Sequence, residues 1–399
     1  MNIRKIIALI LCLVLLSITT LGCNSTDDIP DDDNGYSYDD NGQNPVDSSN
    51  AHEHGHGYMD FAAAITAFPP DTLMLTAGDF TLTWAELFVF LFRTISTLVH
   101  SYGGPLDWSE PFDLDKTLEE VILEFSTDEA LNFMAFRNGA NLINLQLSDE
   151  DLNAFNEEVK EFYEEFSEIY SDKDAMEESL RENAGFYNFA VFEEFLMTDF
   201  LIGLLFEELY GENGDSIPDD ELNEFASEYD FMMAMHILRL KSDDPDADPL
   251  GEAEDILAQL KAKVGSDDFT EYFHDLMHEM SEDTGGLMSY PNGYLFLHED
   301  MVPEFSDTTA ELKIGELSGI VETVYGYHII LRIPIDFDAV PSGLSREGRH
   351  QTLRQLAAYE DFDFRHNEWV ELLNAVFTPE YNSITLSEIF VWHDEDCDH

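Results

Sequence analysis

Three histidines at alternate positions, His52, His54 and His56 in the run Ala-His-Glu-His-Gly-His-Gly, are one set of side chains with metal-ligand chemistry. A second closes the chain: His393-Asp394-Glu395-Asp396-Cys397-Asp398-His399. A structural zinc site takes four ligands in a fixed tetrahedral arrangement. Neither run brings a fourth ligand on a framework that would fix it, so both are expected to be incidental, with no metal and no cofactor. The chain offers no Ser-His-Asp arrangement, no phosphate-cradling glycine loop and no zinc-enzyme helix motif. Acyl transfer, phosphoryl transfer and zinc hydrolysis therefore find no support in it.

The charge balance constrains partners. Against 84 acidic residues stand 18 basic ones, a formal net charge of -66 over 399 residues. Such a surface repels phosphate backbones, and nucleic acid is not an expected partner. It suits solubility, cation-rich surroundings, or basic unfolded polypeptides. The apolar fraction of 44% and aromatic fraction of 13% are enough for packed cores, and the length allows two domains. Cys12, Cys23 and Cys397 are too few for a disulfide framework, so the fold must stand on its core.

The N-terminus has the parts of a secretory signal: Met-Asn-Ile-Arg-Lys, an apolar run from Ile6 to about Ile18, and a small residue before Cys23. The run is shorter than the ~20 residues of a membrane span. Thr20-Leu21-Gly22-Cys23 resembles a lipobox, in which the cysteine is lipidated, so Cys23 is the expected anchor. Residues 24–50 hold eight aspartates and no lysine or arginine. A stretch so polar and one-sidedly charged cannot repay the entropy of ordering, and it reads as a spacer.

Folded elements follow. Leu73 to Thr76 reads as a strand, Gly78 as a turn, and Thr83 with Glu86 as a capping box. Trp84, Leu87, Phe88, Leu91, Phe92 and Ile95 then recur at helical spacing, the face of a packed helix. Helical patterns continue at Leu118–Ser126, Asp151–Ser171 with Ser148 as its cap, and Phe186–Tyr210. Pro218 reads as the first residue of another helix. From about Tyr229 the pattern changes. Met233–Leu240 and Ile329–Ile333 read as strands, with helices at Leu250–Val264 and Phe269–Met280 between them, an α+β arrangement. Arg346–Glu360 and Asn367–Phe377 return to helical spacing.

Several separated motifs in this second region agree in order. They are Met235-His236-Ile237-Leu238, Phe269, Ser281-Glu282-Asp283, Met301-Val302-Pro303-Glu304-Phe305, Gly315-Glu316-Leu317-Ser318, Val321-Glu322-Thr323 and Tyr325-Gly326-Tyr327-His328-Ile329-Ile330. Together, over about Glu228–Pro334, they resemble the parvulin (PpiC-type) peptidyl-prolyl isomerases. The flanking helical layout and the lipobox resemble extracellular foldase lipoproteins of the PrsA and SurA type. The resemblance implies an antiparallel four-stranded sheet with surrounding helices, inserted in or appended to an all-α chaperone domain. The expected division is 1–22 signal peptide, 23–70 acidic linker, 71–227 helical chaperone domain, 228–336 isomerase domain, and 337–399 a helical segment packing back on the chaperone domain, with an acidic tail.

Rotation about an X–Pro bond faces a barrier of roughly 18–20 kcal/mol, because amide resonance must be broken. No covalent step is needed, only a site that favours the twisted bond over the planar one. The resemblance implies that His236 and His328 form a paired floor, that Asp283 opposes charge on the amide oxygen, and that Thr323 and Tyr325 lie at the carbonyl-facing edge. Met301, Phe305 and Leu295 would line the proline pocket, Met301 and Phe305 sharing one helical face. Each has a plainer reading: satisfied core histidines, a helix-end carboxylate, ordinary apolar packing. The 285–299 loop departs most from the family pattern. The loop Ser242-Asp243-Asp244-Pro245-Asp246-Ala247-Asp248 would repel phosphorylated clients. The expected activity is peptidyl-prolyl isomerisation and foldase action on exported proteins with X–Pro bonds, outside the cytoplasm on a lipid anchor, with a homodimer left open. A non-catalytic chaperone with a parvulin-like client-binding domain and an acidic cation-binding surface lipoprotein are the alternatives.

Overall fold

A computed structural model describes residues 57–113, 116–346, 350–379 and 384–394. The segment expected to be a signal peptide, Cys23, the histidines at 52, 54 and 56, and Cys397 lie outside the described residues. Among the described residues no helix is long and apolar enough to cross a membrane. The chain divides into two compact units: one takes the residues up to Leu205 together with those from Arg365, the other is Phe206–Phe364.

The first unit is mainly helical. Its helices are Trp84–Tyr102, Leu118–Leu142, Asp149–Ile169, Lys173–Ala184 and most of Phe189–Tyr210. The starts are locally encoded. Glu86 accepts from the Thr83 amide at 2.9 Å, and Ser148 and Asp151 exchange side-chain and backbone hydrogen bonds at 2.9 and 3.1 Å, satisfying amides that a helix start leaves unpartnered. Trp84, Phe88, Leu87 and Leu91 are fully buried, so the apolar stripe read from the sequence is the packed face. Short strands accompany these helices. Leu73–Ala77 lies between Phe80–Thr83 and Phe377–Pro379, and Gly57–Met59 pairs with Trp392–Asp394.

The second unit carries the site, and its elements are labelled here in chain order: α1 Asp219–Glu228, β1 Met232–Leu240, α2 Pro249–Lys261, α3 Phe269–Met280, α4 Thr284–Ser289, β2 Tyr294–Phe296, α5 Pro303–Glu311, β3 Leu317–Glu322 and β4 Gly326–Arg332. The four strands form an antiparallel sheet in the order β2-β1-β4-β3. Pro218 stands one place before α1, as its N-cap, rather than inside it. Leu353–Asn374 is one continuous helix where two segments were expected.

Side chains alternate across a strand, and the two faces of this sheet differ. Met233, Met235, Ile237, Ile329 and Leu331 pack against Ile256 and Leu260 of α2 and Phe269 and Phe273 of α3. Met232, Ala234 and Ile330 face the other way, against Phe296 and Phe305. Burying a phenylalanine such as Phe305 contributes about 1.5–3 kcal/mol, so that second, smaller cluster is enough to hold α5 over the sheet.

Within the first unit, Gly139 of helix Leu118–Leu142 leaves room for Trp369: a Cβ there would lie 2.4 Å from the indole ring. Gly139→Ala gains about 0.5–1 kcal/mol of helix propensity but overpacks by about 1–3 kcal/mol. The urea midpoint is therefore expected to fall, and to recover when Trp369→Leu is added.

Candidate active site

The site is built on the face of the sheet opposite α2 and α3. In β1 and β4 the partner of His236 is Ile330 and that of Leu238 is His328. The two histidines are thus diagonal neighbours on one face, close enough to touch. Their Nδ1 atoms lie 3.0 Å apart, with ring planes within 17° of one another. Both are buried. Phe305 of α5 stands edge-on to both rings, centroids 5.2 and 5.6 Å away.

β2 covers only the first part of β1, pairing with Met232–Ala234. The free edge beyond is taken by the segment that follows α3. The Leu238 amide donates to Ser281 Oγ at 3.1 Å and the Glu282 amide to the Leu238 carbonyl at 2.9 Å. This places Asp283 beside His236, with Oδ2 2.9 Å from His236 Nε2. Asp283 is also the N-cap of α4, its Oδ1 accepting from the Gly286 amide at 3.0 Å. At the other end of the histidine pair, Thr323 sits in the β3–β4 turn with Oγ1 2.9 Å from His328 Nε2, and the Tyr325 amide donates to that oxygen at 3.1 Å.

Those bonds assign the protons. The Asp283 carboxylate only accepts, so His236 Nε2 carries hydrogen. With both rings neutral, His236 Nδ1 is then the acceptor, His328 Nδ1–H the donor, and His328 Nε2 accepts from the Thr323 hydroxyl. The Tyr325 N–H to Thr323 bond begins this directed chain and Asp283 ends it. His328 fits the neutral form: burial first, then the neighbouring His236, push its imidazole down to about 3 against the opposing pull of Asp283. The His236 hydrogen bond holds the Asp283 carboxyl well below the usual carboxylate range, against burial and with help from Tyr294 and the Gly286 amide.

A hydroxyl donating to an imidazole is also the beginning of a nucleophile–base pair. Here it does not serve as one. Thr323 is buried, its oxygen already accepts from Tyr325, and an imidazole titrating near 3 is a poor base at neutral pH. What remains is a polar floor fixed by hydrogen bonds, with the Asp283 carboxylate at its end and an apolar wall.

His236, Asp283, Thr323 and His328 are joined by hydrogen bonds, and Phe305 touches the pair. Met301 belongs to the same apolar cluster as Phe305, but it precedes α5 in extended backbone, so the shared helical face expected for it is absent. Tyr325 contributes its backbone amide, while its side chain is 59% exposed. Leu295 is a correction. It pairs with Met233, is 1% exposed, and packs under α2 and α3 on the opposite face of the sheet. Strand alternation instead brings Tyr294 to the site, its phenol donating to Asp283 Oδ2 at 2.7 Å. Sequence reasoning missed Tyr294; the parity of β2 was the only signal.

Two outcomes check the electrostatics. ¹⁵N imidazole spectra are expected to show hydrogen on His236 Nε2, facing the carboxylate; a bare Nε2 on that ring contradicts the Asp283 contact. For stability, the unfolded His328 binds its proton near 6.5 and the folded one near 3. The unfolded state therefore holds more protons in that interval, and stability is full above about pH 6.5 and lost as pH falls, by at most ~1.4 kcal/mol per pH unit. Asp283, depressed in the fold, adds a loss of the same sign only below about pH 4. The urea midpoint measured from pH 7 to pH 5 is expected to fall less steeply in His328→Gln than in the unsubstituted chain.

Residues 236–333 match the family described as the PPIC-type PPIase domain, or rotamase. The chain is 34% identical over 170 residues to the foldase protein PrsA of Caldanaerobacter subterraneus, covering 40% of this chain and 47% of that protein. It is also 34% identical over 140 residues to the foldase protein PrsA of Halalkalibacterium halodurans, covering 35% of this chain and 38% of the other. Against the peptidyl-prolyl cis-trans isomerase ESS1 of Saccharomyces cerevisiae, identity is 34% over 82 residues, 21% of this chain and 48% of that one. The chain spans less than half the length of each of these three relatives. The matched segment holds every side chain of the histidine–aspartate array, and over it the chain is similar to the PPIC-type rotamase family.

Proposed function

We propose that this chain is a peptidyl-prolyl cis-trans isomerase and foldase for exported proteins, twisting X–Pro bonds without a covalent step. The observation that carries the reading is the buried, hydrogen-bonded His236–His328 pair, walled by Phe305 and held between Thr323 and Asp283. A prolyl amide laid on that floor loses water. Its carbonyl oxygen becomes less negative as the bond twists, so a nearby fixed carboxylate disfavours the planar form more than the twisted one. In this reading His236, Asp283, Thr323 and His328 are the catalytic array and Tyr325 orders the turn through its amide. Met301 and Phe305 receive the proline ring. The isomerase module proper is residues 228–336, between helical parts 71–227 and 337–399 that hold unfolded clients.

The charges around the cleft support unphosphorylated clients. Arg239 and Lys241, at the end of β1, are engaged by Glu252, Glu282 and Glu322, and Lys241 also donates to the Thr323 carbonyl. The aspartates of the following loop are exposed. A phosphate thus meets carboxylates and no spare cation there. The finer parts of the proposal are removal of residues 1–22, lipidation at Cys23, residence on the outer face of the membrane, and a homodimer of the helical parts.

The test is isomerisation of proline tetrapeptides by the chain. Catalysis above the uncatalysed rate is expected, with Lys-Pro peptides turned over faster than phosphoserine-Pro peptides, and no loss from protonation of His328 between about pH 5 and pH 8. Asp283→Ala and His236→Ala are each expected to reduce kcat/KM by about tenfold or more. A folded chain with no rate above background would instead favour a chaperone that only binds its clients.

A further inference from the structure

Asp283 has two carboxylate oxygens and three donors. Gly286 N–H holds Oδ1, while His236 Nε2–H and the Tyr294 hydroxyl both hold Oδ2, at 2.9 and 2.7 Å. The phenol therefore fixes the same oxygen that orients the histidine, from a different element. The approach is enforced from several sides. Tyr294 stands in β2 opposite Ala234. Gly293 before it has φ +106, in the region that favours glycine, and a Cβ there would lie 2.7 Å from the Ala234 carbonyl. A Cβ on Gly286 would lie 2.1 Å from the Tyr294 hydroxyl, so α4 and β2 meet at this point only because no side chain intervenes. The Tyr294 ring is edge-on to His236 at 5.5 Å and leans on Tyr290 at 4.6 Å.

We infer that Tyr294 is a positioning residue for the isomerisation proposed above: its hydroxyl sets the rotation of the Asp283 carboxylate, and through it the orientation of the His236–His328 pair. The inference rests on that functional reading for its kinetic consequence and on geometry alone for its structural one. With Oδ1 tied to an amide and Oδ2 tied to a phenol on β2, the carboxylate cannot follow the imidazole. Without the phenol, His236 is the remaining side-chain tie on Oδ2, and carboxylate and ring turn together. Orientation lost in this way lowers the rate of the bound step and leaves binding of the peptide as it was.

The experiment uses the full chain and Tyr294→Phe, which keeps the ring and removes only the hydroxyl. The expected kcat for a proline tetrapeptide is roughly tenfold lower, the effect of one hydrogen bond, with KM unchanged. The ¹H and ¹⁵N resonances of His236 Nε2–H are expected to move. In an Asp283→Asn background, adding Tyr294→Phe is expected to cost far less, because the phenol no longer has a carboxylate to hold. An unchanged kcat in Tyr294→Phe, or the same loss with and without Asp283, overturns the inference. If the unsubstituted chain shows no isomerisation, the functional reading fails and the spectra decide alone: a His236 Nε2–H signal identical in the two proteins overturns the positioning role, and a displaced one supports it.

Discussion

Two imidazoles joined nitrogen to nitrogen, out of contact with water, leave little freedom to anything around them. A separation of 3.0 Å between the Nδ1 atoms of His236 and His328 holds one proton, so one ring donates and the other accepts. Every further bond in the array inherits that choice. With both rings neutral, the group beyond one ring must accept and the group beyond the other must donate, or a buried polar atom goes without a partner, at about 1–3 kcal/mol. An ionised carboxylate can only accept, and this is why Asp283 sets the direction of the whole chain. A hydroxyl can do either, so Thr323 adapts to it.

The sheet makes such a pair possible by keeping its two faces distinct. On one face the alternate residues of β1 and β4 are packed with methionine, isoleucine and leucine under two helices. On the other, the same strands present histidine under the edge of Phe305. A shift of register by one residue would exchange the faces, burying imidazoles among leucines and turning the core outward. The continuous β1–β4 pairing from Ala234↔Arg332 to Leu240↔Gly326 guards against that shift. Burial also removes His328 from titration near neutrality, so that ring stays neutral over the pH range in which most proteins work.

Sequence and structure agree where the chemistry itself is local. The capping boxes at Thr83–Glu86 and Ser148–Asp151 need only residues three apart, and the helix at Trp84 needs only its stripe. Pro218 was misplaced by one position because proline suits both an N-cap and a first helical turn. The motif pattern placed His236, Asp283, Thr323 and His328 near one another, and hydrogen bonds join them. Errors arose where the outcome depends on parity or on tertiary approach. Leu295 is flanked by aromatic residues on both sides, and nothing local says which of the three faces inward; its pairing with Met233 decides. Met301 is four residues from Phe305, but Pro303 starts the helix between them. Tyr294 has a role only because two glycines let α4 and β2 come together, a fact invisible in any short window.

The helical unit contains an ordering constraint. Its strand at Gly57–Met59 pairs with Trp392–Asp394, and its strand at Leu73–Ala77 pairs with Phe377–Pro379. Residues far apart along the chain must find each other, a slow event with a large loop to close. Phe206–Phe364 are contiguous and contain all four strands of the other sheet. Because synthesis runs from the N-terminus, that middle portion is complete while the tail is still being made, and the clasp formed by the chain's two arms closes last. The four-stranded sheet therefore has all of its strands before the last strands of the helical unit, Phe377–Pro379 and Trp392–Asp394, have been made.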